Sequence, residues 1–373
     1  MTLLYDIVNF NGDGSCLDSG AWLSILHGGE HSRLFRWLRL YVDFGMPISL
    51  GFTGATLADI SFFNPDALTL LQAYSDIFQI IWRPFSHDLP FFRTEQGFCL
   101  NLEFGRRAAE KLVGRIAPIY VPPEFMQTNR QTALLIQRGV EATVIMGKRF
   151  REKDICLLPD RPFWVKGIPN GQLMCIPVVG SLTDSYLATI QLLDRSLWES
   201  ALIPYSSVAM WRDGESSFLL PDGIERERFW LSIANVERAH MHLAHEAAGD
   251  MQLRSYPIHP FSSWMNEMSM LWFLQRVREL ESTVVESPSP RRVSRWFNCI
   301  GSDILSAVEK PPPVVRLRAL EREAIKEFVI LRSERGFEGE ALLEIAEKDM
   351  DIHGHDAWQM KAQARERLIF ELF

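Results

Sequence analysis

Two short segments of this 373-residue chain place acids where a carboxylate could do chemistry. Ile119-Tyr-Val-Pro-Pro-Glu-Phe125 runs an apolar stretch into two prolines, and each proline fixes φ and removes a backbone donor. Glu124 would then be held rigidly at the mouth of a sheet. That suits a carboxylate nucleophile, because small misplacements are costly in rate. Val208-Ala-Met-Trp-Arg-Asp-Gly-Glu-Ser216 again runs a strand into a polar turn, with Asp213 and Glu215 on either side of Gly214. Both acids could face a cleft, and the glycine lets backbone approach closely. Taken singly, each segment has a plainer account: an exposed glutamate after a Pro-Pro turn, and an ordinary Asp-Gly turn. Taken together they fit glycoside cleavage, which uses two carboxylates across the scissile bond.

Other polar clusters are weaker. His27-Gly-Gly-Glu-His31 has two histidines four apart, a spacing that suits a metal if it lies on a helix. Gly28 and Gly29 make a poor helix interior, so a solvated turn is the better reading and no metal site is expected. His240, His242 and His245 are expected to face solvent or a domain boundary, and His353 and His355 to lie in a polar loop. Among the eleven tryptophans, Trp82, Trp211 and Trp264 fall at strand ends or in candidate loops, where an indole could stack on a sugar ring. Trp22, Trp37, Trp230 and Trp272 have helical core spacing.

These residues need a scaffold. Over the first 220 residues, short apolar runs alternate with helical patterns. Runs at 5–10, 46–52, 78–82, 116–121, 142–146 and 207–211 read as strands; 34–42, 67–74, 104–113 and 131–138 read as helices. Asn64-Pro-Asp66 carries a helix start, with an N-cap and a proline at the first helical position. Strands alternating with helices imply a mostly parallel sheet, a barrel or a doubly wound sheet, with working residues on loops after the strands' C-terminal ends. Beyond residue 220 the pattern is helical, with stretches at 224–247, 263–282, 292–308, 315–333 and 338–372. The expected organisation is a β/α domain over 1–220 and a helical region over 221–373 packed on it.

Composition bounds the function. The net charge of -8 argues against a nucleic-acid binder, which needs a basic face. No apolar run reaches the ~18–20 residues of a membrane span, and the N-terminus reads as a strand, not a signal peptide. Cys16, Cys99, Cys156, Cys175 and Cys299 are odd in number and widely spaced, so free thiols in a cytoplasmic protein are expected. No cofactor is implied, and self-association is left open.

The order and spacing of several motifs resemble family 57 of the glycoside hydrolases. Phe85-Ser-His-Asp-Leu-Pro-Phe-Phe92 is similar to the family's His-containing segment before a helix. Val121-Pro-Pro-Glu124, followed by a helix, Gly139 and a strand, resembles the segment that bears the family's nucleophile. Asp213-Gly-Glu215 resembles the segment whose aspartate is the acid/base, and Tyr256-Pro-Ile-His-Pro-Phe-Ser-Ser-Trp264 the substrate-lining Ser-Trp region. The resemblance covers about residues 1–265. It implies an α/β barrel, possibly an incomplete one of seven strands, and a retaining hydrolase or glycosyl-transferring enzyme on α-linked sugars. Glu124 and Asp213 would be its carboxylates, ~5–5.5 Å apart on neighbouring or near-neighbouring strands. Asn9, Asn11, Asp13, His87, Trp211, Glu215, His259 and Trp264 would line the sugar site. One departure stands out. Where the family's first strand carries a His-x-Pro type motif, this chain reads Val8-Asn-Phe-Asn-Gly-Asp13. Two alternatives therefore stay beside the enzyme: a sugar-binding protein that kept the scaffold, and a metal-dependent carbohydrate deacetylase.

Overall fold

A computed structural model describes residues 2–12, 19–147, 162–165, 171–220, 222–233, 236–241, 250–251, 277–278, 281–300 and 355–373. Its core is a closed barrel of seven parallel strands: β1 (Thr2–Phe10), β2 (Ile48–Phe52), β3 (Phe78–Trp82), β4 (Ala117–Tyr120), β5 (Ala142–Met146), β7 (Leu173–Val178) and β8 (Ser207–Asp213). They pair in that order, β7 pairs with β8, and β8 with β1 closes the ring. Of the two parallel-sheet forms that the alternation left open, the barrel is the one present, as the resemblance implied. Three short strands add to it. β6 (Phe163–Val165) runs antiparallel on β7, and β10 (Asp250–Met251) pairs with β6. β9 (Val236–Arg238) pairs with the lower half of β1, whose upper half pairs with β2.

Alternation along each strand sorts side chains to two faces. Ile7, Ile81, Ile119, Val144, Ile176 and Ala209 fill the barrel interior. Leu4, Val8, Phe10, Leu50, Ile80, Val208 and Met210 pack outward under the helices. The interior is packed, so substrate access is confined to the rim. That rim is where charged and amide side chains continue the inward parity past the apolar layers.

The crossover helices carry the caps their sequences announce. α1 is Ser19–Leu26. α2 (Arg33–Phe44) buries Leu34, Trp37, Leu38 and Tyr41, the i, i+3, i+4, i+7 stripe of a core-facing helix. Gly45 ends it in the left-handed region. α3 (Gly54–Phe63) precedes α4 (Pro65–Ala73), where Asn64 accepts from Ala67 N and Pro65 stands at the first position. α5 (Glu95–Val113) is capped by Thr94, and α6 (Asn129–Gln137) by a Thr128–Gln131 capping box. α7 (Gly180–Leu192), α8 (Arg195–Leu202), α9 (Glu215–Leu219) and α10 (Gly223–Ile233) complete the layer around β8. Two later helices, α11 (Pro290–Cys299) and α12 (His355–Leu372), pack against each other.

Residues 224–247 do not form one helix. α10 stops at Ile233 and the chain reappears as β9 at Val236. Leu3 and Leu4 of β1 offer Val236–Arg238 a free ladder edge there, and tertiary pairing overrides local helical preference. α12 returns to the barrel, packing on α1, α3 and α5. Arg365 forks onto Asp59 (3.1 and 2.9 Å), while Lys361 Nζ donates to Gly12 O at 2.6 Å. Gly12 lies flat under the Trp22 indole, where a Cβ would come within 2.6 Å of the ring.

α5 holds the segment after β3 flush to the barrel. Asn101 O accepts from Phe85 N, and the Asn101 amide bonds Ser86 N and O at 2.8 and 3.0 Å. Gly105 makes the contact close enough: a Cβ there would lie 2.1 Å from Arg83 O. Gly105→Ala is accordingly expected to destabilise the protein by about 2–3 kcal/mol by overpacking. Denaturant unfolding would measure it, and a loss under ~0.5 kcal/mol would show that this contact yields easily.

Candidate active site

Each candidate residue that the structure describes stands at the C-terminal rim of a parallel strand or just after it. On β1 and its exit loop are Asn9 and Asn11, both buried. β2 contributes Gly51, whose missing side chain leaves room for Asn9 Oδ1 and the Arg83 stem; a Cβ would meet them at 2.1 and 3.3 Å. Past β3 come Arg83 and His87, both buried. Past β4 is the 3₁₀ turn Pro123–Phe125 that carries Glu124. β8 ends in Trp211 and Asp213, and Asp213 is the register partner of Asn9.

Glu124 sits in a strained turn. It has φ 51° and ψ 21°, and Phe125 follows at φ 54°. Non-glycine residues pay roughly 1–2 kcal/mol each for the left-handed region, and such strain persists only where the surroundings enforce it. Here the enforcers are Pro122 and Pro123 before the turn and the Phe125 ring, which packs edge-on against Trp211 at 5.2 Å. The result turns the Glu124 carboxylate outward at 26% exposure, with His87 Nε2 3.8 Å from its Oε1.

Asp213 has a different setting. It is half-buried, and Gly214 N donates to Asn9 O at 2.8 Å, fixing the strand end. Burial pushes the Asp213 carboxyl up to about 6, with Arg83 pulling in the other direction. The Asp213 carboxyl is thus shaped to hold a proton, while the Glu124 side chain is partly exposed, at 26%. β4 and β8 are separated around the ring by β5 and β7, so the two acids reach the mouth from opposite walls and not from adjacent strands. Phe125 against Trp211 closes the gap between those walls.

The remaining expected site residues divide. Asn9 faces inward at 1% exposure, and neither its Oδ1 nor its Nδ2 has a hydrogen-bond partner. A buried amide left unpaired costs stability. Trp211 Nε1 is in the same condition. Asn11 and Glu215 are engaged with each other: Asn11 N donates to Glu215 Oε1 at 2.6 Å, and Glu215 is buried at the start of α9. Asp13, His259 and Trp264 lie outside the described residues. His27 and His31 are exposed on a turn, and among the described residues no three His, Cys, Asp or Glu side chains gather to hold a metal.

Sequence reading missed Arg83. It donates from NH1 to Val121 O and from NH2 to Asn11 Oδ1, both at 2.8 Å. The signal available was its parity: Gln79, Ile81 and Arg83 share the inward face, and a cation at the last inward position of a strand marks a barrel mouth.

No family model and no curated protein matches this chain, but solved structures do. The 4-alpha-glucanotransferase from Thermococcus litoralis superposes with a TM-score of 0.63 at 14% identity, over 89% of this chain and 60% of that one. A GH57-type branching enzyme from Pyrococcus horikoshii superposes at 0.62 and 10% identity, over 93% and 94% of the two chains. The fold is that of the family 57 glycoside hydrolases. Alpha-amylase AmyC from Thermotoga maritima shares this architecture at TM-score 0.57 and 8% identity, over 98% and 99%. The chain spans 60% of the glucanotransferase's length. No described helix is long and apolar enough to cross a membrane.

Proposed function

We propose that the chain transfers or hydrolyses glycosyl groups of α-linked sugars with retention, Glu124 acting as nucleophile and Asp213 as acid/base. One observation carries the reading. At a single barrel mouth, a partly exposed carboxylate on a rigid turn stands on one wall, and a half-buried carboxyl with a raised pKa stands on the other. Burial that raises one carboxyl's pKa suits it to the acid role in such a pair.

In the first half-reaction the Glu124 carboxylate attacks the anomeric carbon. The glycosidic C–O bond breaks, and Asp213 gives its proton to the departing oxygen. In the second, water or a sugar hydroxyl attacks the same carbon from the face the leaving group vacated. The Glu124 ester breaks, and Asp213 takes the proton from the incoming oxygen. Asn9, with a donor and an acceptor both unspent, is suited to adjacent sugar hydroxyls, and Trp211 to a ring face.

The test is the anomer. With a short oligosaccharide of α-linked glucose, proton NMR of the first product formed should show the α anomer; an initial β anomer would overturn retention. The pH dependence follows from Asp213. As the acid it must be protonated, so kcat/KM is expected to fall as pH rises through about 6. The alkaline limb should vanish in Asp213→Asn together with most of the activity. A limb above pH ~8 would place the proton donor elsewhere.

A second reading rests on Asn9-Phe10-Asn11, which stands where the family's first strand carries histidine: the scaffold then binds sugar without cleaving it. Calorimetric binding without turnover, unchanged in Glu124→Gln, would favour it.

A further inference from the structure

The two walls of the mouth are joined by a continuous run of hydrogen bonds. It starts at Glu215, two residues past Asp213, whose Oε1 accepts from Asn11 N at 2.6 Å. Asn11 Oδ1 accepts from Arg83 NH2 at 2.8 Å. Arg83 NH1 donates to Val121 O at 2.8 Å, three residues before Glu124. Every member is buried: Glu215 at 2%, Asn11 at 6%, Arg83 at 2% and Val121 at 1% exposure. The run crosses from the β8 exit through the β1 exit to the β4 exit. The guanidinium grips two elements at once.

We propose that Arg83 is a positioning residue whose fork sets the separation and facing of Glu124 and Asp213 across the mouth. The inference rests on the glycosidase reading of those two acids. Its physical basis is that a planar guanidinium presents parallel donors in fixed geometry, whereas an ammonium is a single point charge. Val121 O and Asn11 Oδ1 belong to segments more than a hundred residues apart in the chain. The β1–β2–β3–β4 ladder, extended by Val121 N donating to Trp82 O at 3.1 Å, sets the strands side by side. Past the strand ends the guanidinium adds a direct side-chain tie between the two exit segments. Gly51 keeps the space for its stem open, and α5, through Asn101 and Gly105, clamps the backbone it hangs from.

The charge and the fork of Arg83 do separate things, and two substitutions divide them. Arg83→Lys keeps a cation near Asp213 but cannot grip both acceptors. Its kcat on the α-linked oligosaccharide is expected to fall ~100-fold, the scale of a reacting-group misplacement of about 1 Å. KM should change much less, and the alkaline limb should stay where the wild type has it. Arg83→Met loses the charge as well. It should show the same fall in kcat, with the limb displaced to higher pH because the cation that held the Asp213 pKa down is gone. Asn11→Ala cuts one arm and leaves Arg83 in place, so it serves if the Arg83 variants do not fold; kcat should fall ~10-fold. Wild-type kcat in a folded Arg83→Lys, Arg83→Met or Asn11→Ala would overturn the proposal.

If the wild type cleaves no α-linked sugar, the glycosidase reading is what has failed. The tie is then judged by crystallography. A Glu124–Asp213 carboxyl separation in Arg83→Lys or Asn11→Ala equal to that of the wild type overturns it, and a changed separation supports it.

Discussion

Glu124→Gln is expected to lower turnover of an α-linked oligosaccharide on the order of 10⁴-fold or more, the scale of losing a nucleophile, while binding the same sugar within a few-fold of wild type. Glutamine matches glutamate in shape and can occupy the same left-handed turn, so the backbone at φ 51° and its contact through Phe125 are preserved. What is removed is the negative oxygen. Glu124→Ala with added azide should recover part of the rate, because the small anion can enter the vacated space and attack the anomeric carbon from the nucleophile's side. The product would be a glycosyl azide of inverted anomeric configuration, identifiable by NMR. If Glu124→Gln keeps more than a tenth of the wild-type kcat, the nucleophile is a different residue and the fold alone links this chain to its neighbours.

The second large effect concerns stability. On the outer face of the barrel, Arg212 forks onto Asp6 (3.0 and 2.9 Å) and donates to Glu227 and the Tyr186 hydroxyl, both at 2.9 Å. It also reaches the Tyr41 hydroxyl. Tyr41 and Tyr186 each donate to Glu227 at 2.5 Å; burial raises both phenols above their usual range, so they remain donors. Arg238 adds a second cation on Asp6 at 3.3 Å and lies over the Trp230 ring at 4.0 Å. The charges balance, and all four ionic side chains are shut off from solvent. Removing one member of such a set leaves its partners buried and uncompensated. Arg212→Met is therefore expected to cost about 3–5 kcal/mol in denaturant unfolding, and Arg212→Lys most of that, since lysine cannot reproduce the fork. A loss below ~1 kcal/mol in Arg212→Met would mean that the set relaxes around the gap.

How much of this was legible beforehand depended on how local the cause was. The turn at Asn64-Pro65, the helix read over 131–138 and observed over Asn129–Gln137, and six of the barrel strands were readable because their signals lie within ten residues of each other. β7 was not. Leu173–Val178 is buried at every position and contains Pro177, so it shows neither alternation nor an unbroken β-branched run, yet it closes the ring. The end of α10 and the start of β9 were likewise invisible, because Val236 becomes a strand only through Thr2. At the site, the Pro-Pro-Glu and Asp-Gly-Glu segments announced themselves by type. The pairing of Glu215 with Asn11 and of Arg83 with Val121 did not, since those partners are 204 and 38 residues apart.

The grip of α12 on Gly12 has a consequence for how the protein is made. Lys361 and Gly12 are separated by 349 positions. Ribosomes deliver a chain N-terminus first, so the ~150 residues after β8 take roughly 10–30 s to follow at usual elongation rates. During that interval every barrel strand is already available to pair, but the carbonyl of Gly12 and the carboxylate of Asp59 still await their cations. Asp59 is buried at 0% exposure in the finished protein, and until Arg365 arrives it favours hydration over burial. The nascent barrel should therefore keep Gly12 open to water, and the end of β1 gains its last contacts only when synthesis has reached α12.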